Sequence, residues 1–290
     1  MVIDCHYHHD ERMLKVEDLI ERMDEARVDR IALIATMVDP LPETSPSLIN
    51  LLQFLLTHRS LRGVGKALVA NFTEDGSIKI LKKTFRVYAD PDNESVFTVT
   101  ERYPERFYGW VFVNPRGKND PLREVDRWSK SPGFLGIKAH PFWHQYPPVE
   151  LIPVAERAVR LNKPLLIHVG FHGHGDIREL INKFPALKLI LAHAAFPSYA
   201  DTWKIIRDKK NVYVDLSATA YVGEKITSDV VGYLGVDRCL FGTDGPYGPH
   251  AADGKYDYGF IKRRIEKLFS DEQTRKLLLG ENFANIVGTL

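Results

Sequence analysis

Short apolar runs recur eight times along the chain, near residues 3, 32, 110, 137, 166, 190, 214 and 240, and amphipathic stretches separate most of them. A run such as Arg30 to Ala35, apolar almost throughout, suits a strand buried on both faces of a parallel sheet. The stretch before it, Leu14 to Arg27, places Val16, Leu19, Ile20, Met23 and Ala26 at helical spacing. From Arg106 the rhythm is regular: strands at Phe107 to Val113, Leu135 to Ala139, Pro164 to Val169, Leu187 to Ala192, Val212 to Leu216 and Arg238 to Phe241 alternate with helical stripes. Eight such units in a chain of this length predict an α/β fold closed into a (β/α)8 TIM barrel. An open doubly wound sheet is the alternative, but the first strand lacks the Gly-x-Gly-x-x-Gly turn of its dinucleotide-binding form.

One stretch breaks the rhythm. Between strands two and three, Pro46 to Leu56 reads as a helix, Gly63 and Gly65 turn the chain, Ile78 to Val87 suits another helix, and a short helix runs toward Tyr103 after Asp90-Pro91-Asp92. This is extra helical or loop material over one side of a pocket. With no repeat, low-complexity segment or linker, residues 1–290 are expected to form a single domain.

The polar residues fall where a barrel would gather them. In Val2-Ile3-Asp4-Cys5-His6-Tyr7-His8-His9 the period of two puts Asp4, His6 and His8 on one face and Cys5, Tyr7 and His9 on the other. Lys138 and His140 end strand four, His168 ends strand five, His193 ends strand six, and Asp244 follows strand eight. Closure brings these C-terminal strand ends to one mouth. Imidazoles and a carboxylate with an open position suit a catalytic zinc that polarises water. Taken singly, each has a plainer reading: hydrogen bonding at a strand end for the histidines, a turn residue before Gly245-Pro246 for Asp244. Their convergence favours ligation. His193 fits a fourth ligand, a ligand to a second metal, or a general base, and Lys138 fits an unmodified electrostatic group, an anion holder or a carbamylated bridge. His172 and His174 in a glycine-rich loop, the aromatic run from Phe142 to Tyr146, and the loop from Gly245 to His250 are candidate pocket walls; Arg116 and Arg178 stay outside the catalytic set.

Composition narrows the partners. With 39 basic against 38 acidic side chains the chain has no broad field for nucleic acid or an anionic membrane, so the partner is a small molecule in a pocket, carboxylate-bearing in one reading. Two cysteines make a disulfide framework improbable, no leader pattern opens the sequence and no apolar run has spanning length. The expectation is a cytoplasmic location.

The segments Asp4-Cys5-His6-Tyr7-His8, Gly136-Ile137-Lys138-Ala139-His140-Pro141, Ile167-His168, Leu191-Ala192-His193, Gly242-Thr243-Asp244 and Leu279-Gly280-Glu281-Asn282-Phe283-Ala284 resemble the amidohydrolase superfamily. The resemblance is to its metal-dependent amidohydrolase-related branch, which holds aminocarboxymuconate-semialdehyde decarboxylase and aromatic-acid decarboxylases beside hydrolases. It implies that His6, His8, His168 and Asp244 hold one divalent metal, usually Zn2+, with Mn2+ or a binuclear site as variants. It also implies that His193 orients or deprotonates water and that the chain forms a homodimer, while Lys138 departs from the simplest mononuclear pattern and leaves room for a binuclear site; the catalytic set expected is His193, Asp244 and Lys138. The activity expected is hydrolysis of an ester, lactone or amide by metal-activated water. The alternatives are nonoxidative decarboxylation of an unsaturated or aromatic acid and, below it, a noncatalytic binding barrel.

Overall fold

Each of the eight apolar runs is a strand in the computed structural model, which describes residues 1–41, 46–58, 60–69, 71–73, 76–80, 83–251 and 254–288. In chain order the strands are β1 (Ile3–His9), β2 (Arg30–Ala35), β3 (Ile78–Ile80), β4 (Lys83–Phe85), β5 (Phe107–Val113), β6 (Phe134–Ala139), β7 (Leu165–Ile167), β8 (Leu189–Leu191), β9 (Val212–Asp215) and β10 (Cys239–Leu240). Eight of them pair in the order β1-β2-β5-β6-β7-β8-β9-β10, all parallel, with helices between. The ring is completed beyond β10, where Cys5 N–H donates to Phe241 O, Asp244 N–H to His6 O and His8 N–H to Gly245 O. This is the (β/α)8 barrel that the alternation predicts. Strands such as β1 and β5 are buried along their whole length, as a barrel covered by helices requires.

The barrel needs a substitute partner at one seam. β2 pairs with β5 only from Ile31↔Phe107 to Leu33↔Gly109, so Phe112 lies beyond the ladder. The Asn93 amide replaces the missing strand: its Oδ1 accepts from Phe112 N–H at 2.7 Å and its Nδ2 donates to Phe112 O at 3.0 Å. Asn93 is placed by the helix it begins, Asn93–Arg102, whose first turn is capped by the Asp92 carboxylate accepting from Glu94 and Ser95 N–H.

The segment between β2 and β5 differs from its sequence reading in two places. Instead of a helix over Ile78 to Val87, the described residues form an antiparallel pair in which Ile78 faces Phe85, both buried, and Lys79 faces Thr84, both exposed. The period is two, which wins over helical spacing in so short a stretch; residues 81 and 82 lie outside the described residues. Gly63 and Gly65 do not turn the chain but lie within the helix Arg62–Val69. Gly65 is there for close approach, since a Cβ on it would stand 2.8 Å from Leu56 Cδ2 of the preceding helix Pro46–Thr57.

That insertion lies over the mouth. Gln53 Nε2 donates to Thr219 O, Arg62 pairs with Asp201 at 3.3 Å, Lys66 Nζ stands 5.5 Å from the centre of the Phe171 ring, and the Phe72 and Phe142 rings meet edge to face at 5.8 Å. These four contacts are with the segments that follow β6 to β9. Among the described residues no helix is long and apolar enough to cross a membrane.

Replacing Asn93 by Leu leaves the N–H and C=O of Phe112 buried without partners at about 1–3 kcal/mol each. Urea unfolding should show the variant destabilised by at least about 2 kcal/mol, and an unchanged midpoint would show that the amide is not the seam's substitute strand.

Candidate metal centre

β1 carries two candidate ligands, and a bulge decides which side chains join them. The register runs from Asp4↔Ile31 to Tyr7↔Leu33, so one extra residue lies on the β1 side. The parity reading is corrected accordingly: Asp4 shares its side with Tyr7, not with His8. Asp4 and Tyr7 both face Tyr258, whose hydroxyl donates to Asp4 Oδ2 at 3.2 Å and whose ring lies 6.1 Å from that of Tyr7. Asp4 accepts from the N–H groups of His6 and Thr243 and from Thr243 Oγ1 at 2.6 Å, tying β1 to the residue before Asp244. Burial pushes its carboxyl up to about 7 against the lowering effect of these bonds.

His6, His8 and Asp244 converge. Their donor atoms lie within 4.8 Å of one another, with His6 Nε2 at 3.3 Å and His8 Nε2 at 3.6 Å from Asp244 Oδ1. Donors about 2.0–2.1 Å from a tetrahedral zinc stand about 3.3–3.4 Å apart, so the spacing fits one ion. Asp244 reaches this place with φ at 59°, a left-handed conformation that aspartate adopts more readily than most residues.

The second nitrogen of each imidazole fixes its proton. His6 Nδ1 meets Asp215 Oδ2 at 2.9 Å, His8 Nδ1 meets Ala35 O at 3.4 Å and His168 Nδ1 meets Val169 O at 3.1 Å. Carboxylates and carbonyls only accept, so each Nδ1 carries the hydrogen and each Nε2 keeps its lone pair. His193 reaches the same state by one more step. Ser217 spends its proton on Asp215 Oδ1, which leaves Ser217 Oγ, 2.9 Å away, to accept from His193 Nδ1. Burial holds all four rings neutral: His8 and His168 fall to about 3, and His6 and His193 well below the ordinary imidazole range, with Lys138 adding to the effect on each. Neutral imidazoles with free Nε2 atoms are the form a metal takes.

Lys138, fully buried, stands 3.4 Å from His6 Nε2. Burial pushes it down to about 8, while Asp215 and Asp244 hold it up. Burial pushes Asp244 well above the usual carboxylate range, with Lys138 pulling the other way. Two carboxylates against one ammonium leave room for added positive charge. Donor type, spacing, tautomer and charge thus fit a divalent cation.

His193 and His168 stand beside this group. His193 Nε2 lies 3.9 Å from Asp244 Oδ2, and His6, His193 and Asp215 form a second set with donor atoms within 4.8 Å of one another. The His168 ring is 4.6 Å from that of His193, yet His168 is in neither set among the described residues. Around it stand Phe142, Phe196 and Tyr221, with Phe171 behind, so the aromatic run after β6 does reach the site. Arg116 is bound to Glu150 and Arg178 to Asp176, away from this chemistry. The sequence reading missed Asp215 and Ser217. Asp215 ends the strand Val212-Tyr213-Val214-Asp215, and a carboxylate closing an apolar run was the available signal.

A family model described as Amidohydrolase matches residues 61–288, well over half of the chain. Three solved structures share the fold. A dihydroxybenzoic acid decarboxylase from Polaromonas sp. JS666, with bound manganese and the inhibitor 2-nitroresorcinol, is 16% identical with a TM-score of 0.61, over 99% of this chain and 96% of that one. A 4-oxalomesaconate hydratase from Rhodopseudomonas palustris is 17% identical with a TM-score of 0.60, over 99% and 95%. A probable 2-pyrone-4,6-dicarboxylic acid hydrolase from Acinetobacter baumannii, with citric acid bound, is 13% identical with a TM-score of 0.61, over 99% of each chain.

Elemental analysis of protein purified without added metal should find near one divalent ion per chain, lost in His6→Ala. Asp215→Asn should keep the fold and weaken metal affinity by about 10–100-fold, the usual effect of removing a ligand's orienting partner. Two ions per chain would instead make Lys138 a bridge, and none after reconstitution would refute the centre.

Proposed function

Since the chain belongs to the amidohydrolase family, we propose that it is a metal-dependent hydrolase that directs water at the ester, lactone or amide carbonyl of a small molecule. The observation that carries this reading is the placing of Asp244, with Oδ1 toward His6 and His8 and Oδ2 toward His193 Nε2. One carboxylate thereby spans the ion site and a neutral base. His6, His8 and Asp244 would hold the ion, and His168, whose Nε2 is also free and which follows β7 on the opposite side of the ring from β1, would be the fourth ligand; zinc suits this donor set and manganese is the variant.

When bound, the ion supplies Lewis acidity and brings the ionisation of water toward neutral pH. His193 accepts the water proton on Nε2, because Ser217 and Asp215 keep its other nitrogen protonated. Asp244 Oδ2 steadies the resulting imidazolium. Lys138 donates an N–H to the oxygen on which charge develops, in a buried setting where such a contact is stronger than in water. The His193 imidazolium then returns that proton to the leaving group.

A second reading is favoured by the aromatic side chains around His168, which suit a planar substrate: nonoxidative decarboxylation of an aromatic or unsaturated acid. There the same shell orients the carboxylate and His193 supplies the proton that replaces carbon dioxide.

Metal-loaded protein should hydrolyse members of a panel of lactones and activated esters, dihydrocoumarin and p-nitrophenyl acetate among them. In His193→Gln kcat should fall by about 10²–10⁴-fold with metal content unchanged. Carbon dioxide release from dihydroxybenzoates without ester turnover would move the assignment to decarboxylation, and no turnover on either panel would leave a binding barrel.

A further inference from the structure

His140 differs from the other imidazoles of the mouth in the direction of its proton. Its Nδ1 accepts the backbone N–H of Trp143 at 3.0 Å. A nitrogen that accepts from an amide keeps its lone pair, so in the neutral ring the hydrogen is on Nε2. The four rings assigned above carry theirs on Nδ1. His140 therefore faces its surroundings with a donor where they present lone pairs, and it is unsuited to ligate through Nε2.

Its position is that of a wall of the same centre. His140 follows β6 directly, two residues after Lys138, and so continues the side of the strand on which Lys138 meets His6. The His140 and His168 rings stack with centroids 4.2 Å apart and planes 22° from parallel, which fixes the height and tilt of His140 beside the proposed fourth ligand. The side chain is 4% exposed, and among the described residues nothing accepts from Nε2. Nε2 is not among the fully buried polar atoms that lack a partner, so its N–H keeps enough access for a ligand oxygen to accept it.

We propose that His140 is a catalytic residue whose Nε2–H donates to a carbonyl or carboxylate oxygen of the substrate, pairing with Lys138 as the second donor to the oxygen that gains charge. The inference rests on the metal-dependent reading above and narrows it. The substrate must present an acceptor above β6, and an analogue with an ammonium there is rejected, because it has no lone pair to accept the N–H.

Two substitutions separate this role from packing. His140→Phe keeps an aromatic ring for stacking on His168 and removes the donor, and His140→Gln restores an N–H. In His140→Phe, kcat/KM on p-nitrophenyl acetate should fall about 10²–10³-fold, the usual effect of losing one oxyanion donor, with metal content and thermal midpoint unchanged and partial recovery in His140→Gln. Long-range proton–nitrogen NMR of the wild-type protein should place the His140 proton on Nε2. A proton on Nδ1, or equal kcat/KM in wild type and His140→Phe, overturns the proposal. If the wild type hydrolyses no ester, the hydrolase reading fails by itself and calorimetry with benzoate still decides His140: affinity at least about tenfold weaker in His140→Phe supports the donor, and equal or absent binding overturns it.

Discussion

Asp215, wholly buried at the end of β9, receives four hydrogen bonds: from His6 Nδ1, from the backbone N–H groups of His193 and Ser217, and from the Ser217 hydroxyl. A buried carboxylate is tolerated only when its lone pairs are met by donors, and these four meet them. The consequence reaches further than the carboxylate itself. Through Nδ1 it sets the tautomer of His6, and through Ser217 it sets that of His193, so one side chain prepares both the proposed metal ligand and the proposed base. It also holds the His193 backbone, which takes φ of 56° at the exit of β8. A loop in that conformation would relax elsewhere without a partner for its N–H. The catalytic reading of the centre thus depends on a group that would touch neither substrate nor, in the proposed set of ligands, the ion.

The barrel was legible because buried parallel strands are written as continuous apolar runs, and each of the eight stands where such a run does. The strand-end histidines were legible for the same reason: an imidazole closing Leu165-Leu166-Ile167 or Leu189-Ile190-Leu191 stands out against its neighbours. Three features were not legible, each for a physical cause. The bulge in β1 shifts Asp4 to the side of Tyr7, and nothing in the local sequence marks where an extra residue enters a ladder. The β3–β4 hairpin is too short for a period of two to outweigh one of 3.6. Gly65 signals a turn in isolation but serves helix contact here, a choice made by Leu56 nine positions earlier. Tautomers lie further still from the sequence, since they depend on which backbone carbonyl or serine stands beside each ring.

The insertion between β2 and β5 packs over one side of the mouth. Phe72 rests on Phe142 and Lys66 on Phe171, beside the rings that surround His168, while Gln53 bonds to the loop after β9 and Arg62 to the helix after β8. Water excluded from that wall strengthens every charge interaction beneath it. Burial at the barrel mouth keeps the imidazoles neutral and pushes Lys138 toward the amine.

Hydrolysis and decarboxylation ask nearly the same of these residues, and they differ in what lies over β6. For hydrolysis the oxygen that gains charge must rest against the donors there, with the scissile carbon facing the water that His193 deprotonates. For decarboxylation the departing carboxylate must avoid those donors, because hydrogen bonds to a carboxylate stabilise the ground state that has to be left. Lys138 is a donor in either protonation state, and the Trp143 amide turns His140 into another. A pair of donors on one strand beside a proton acceptor on the next but one therefore weights the centre toward charge developing on oxygen. That asymmetry between donor strand and acceptor strand, rather than the barrel or the ligand set, is the physical ground for preferring an acyl substrate.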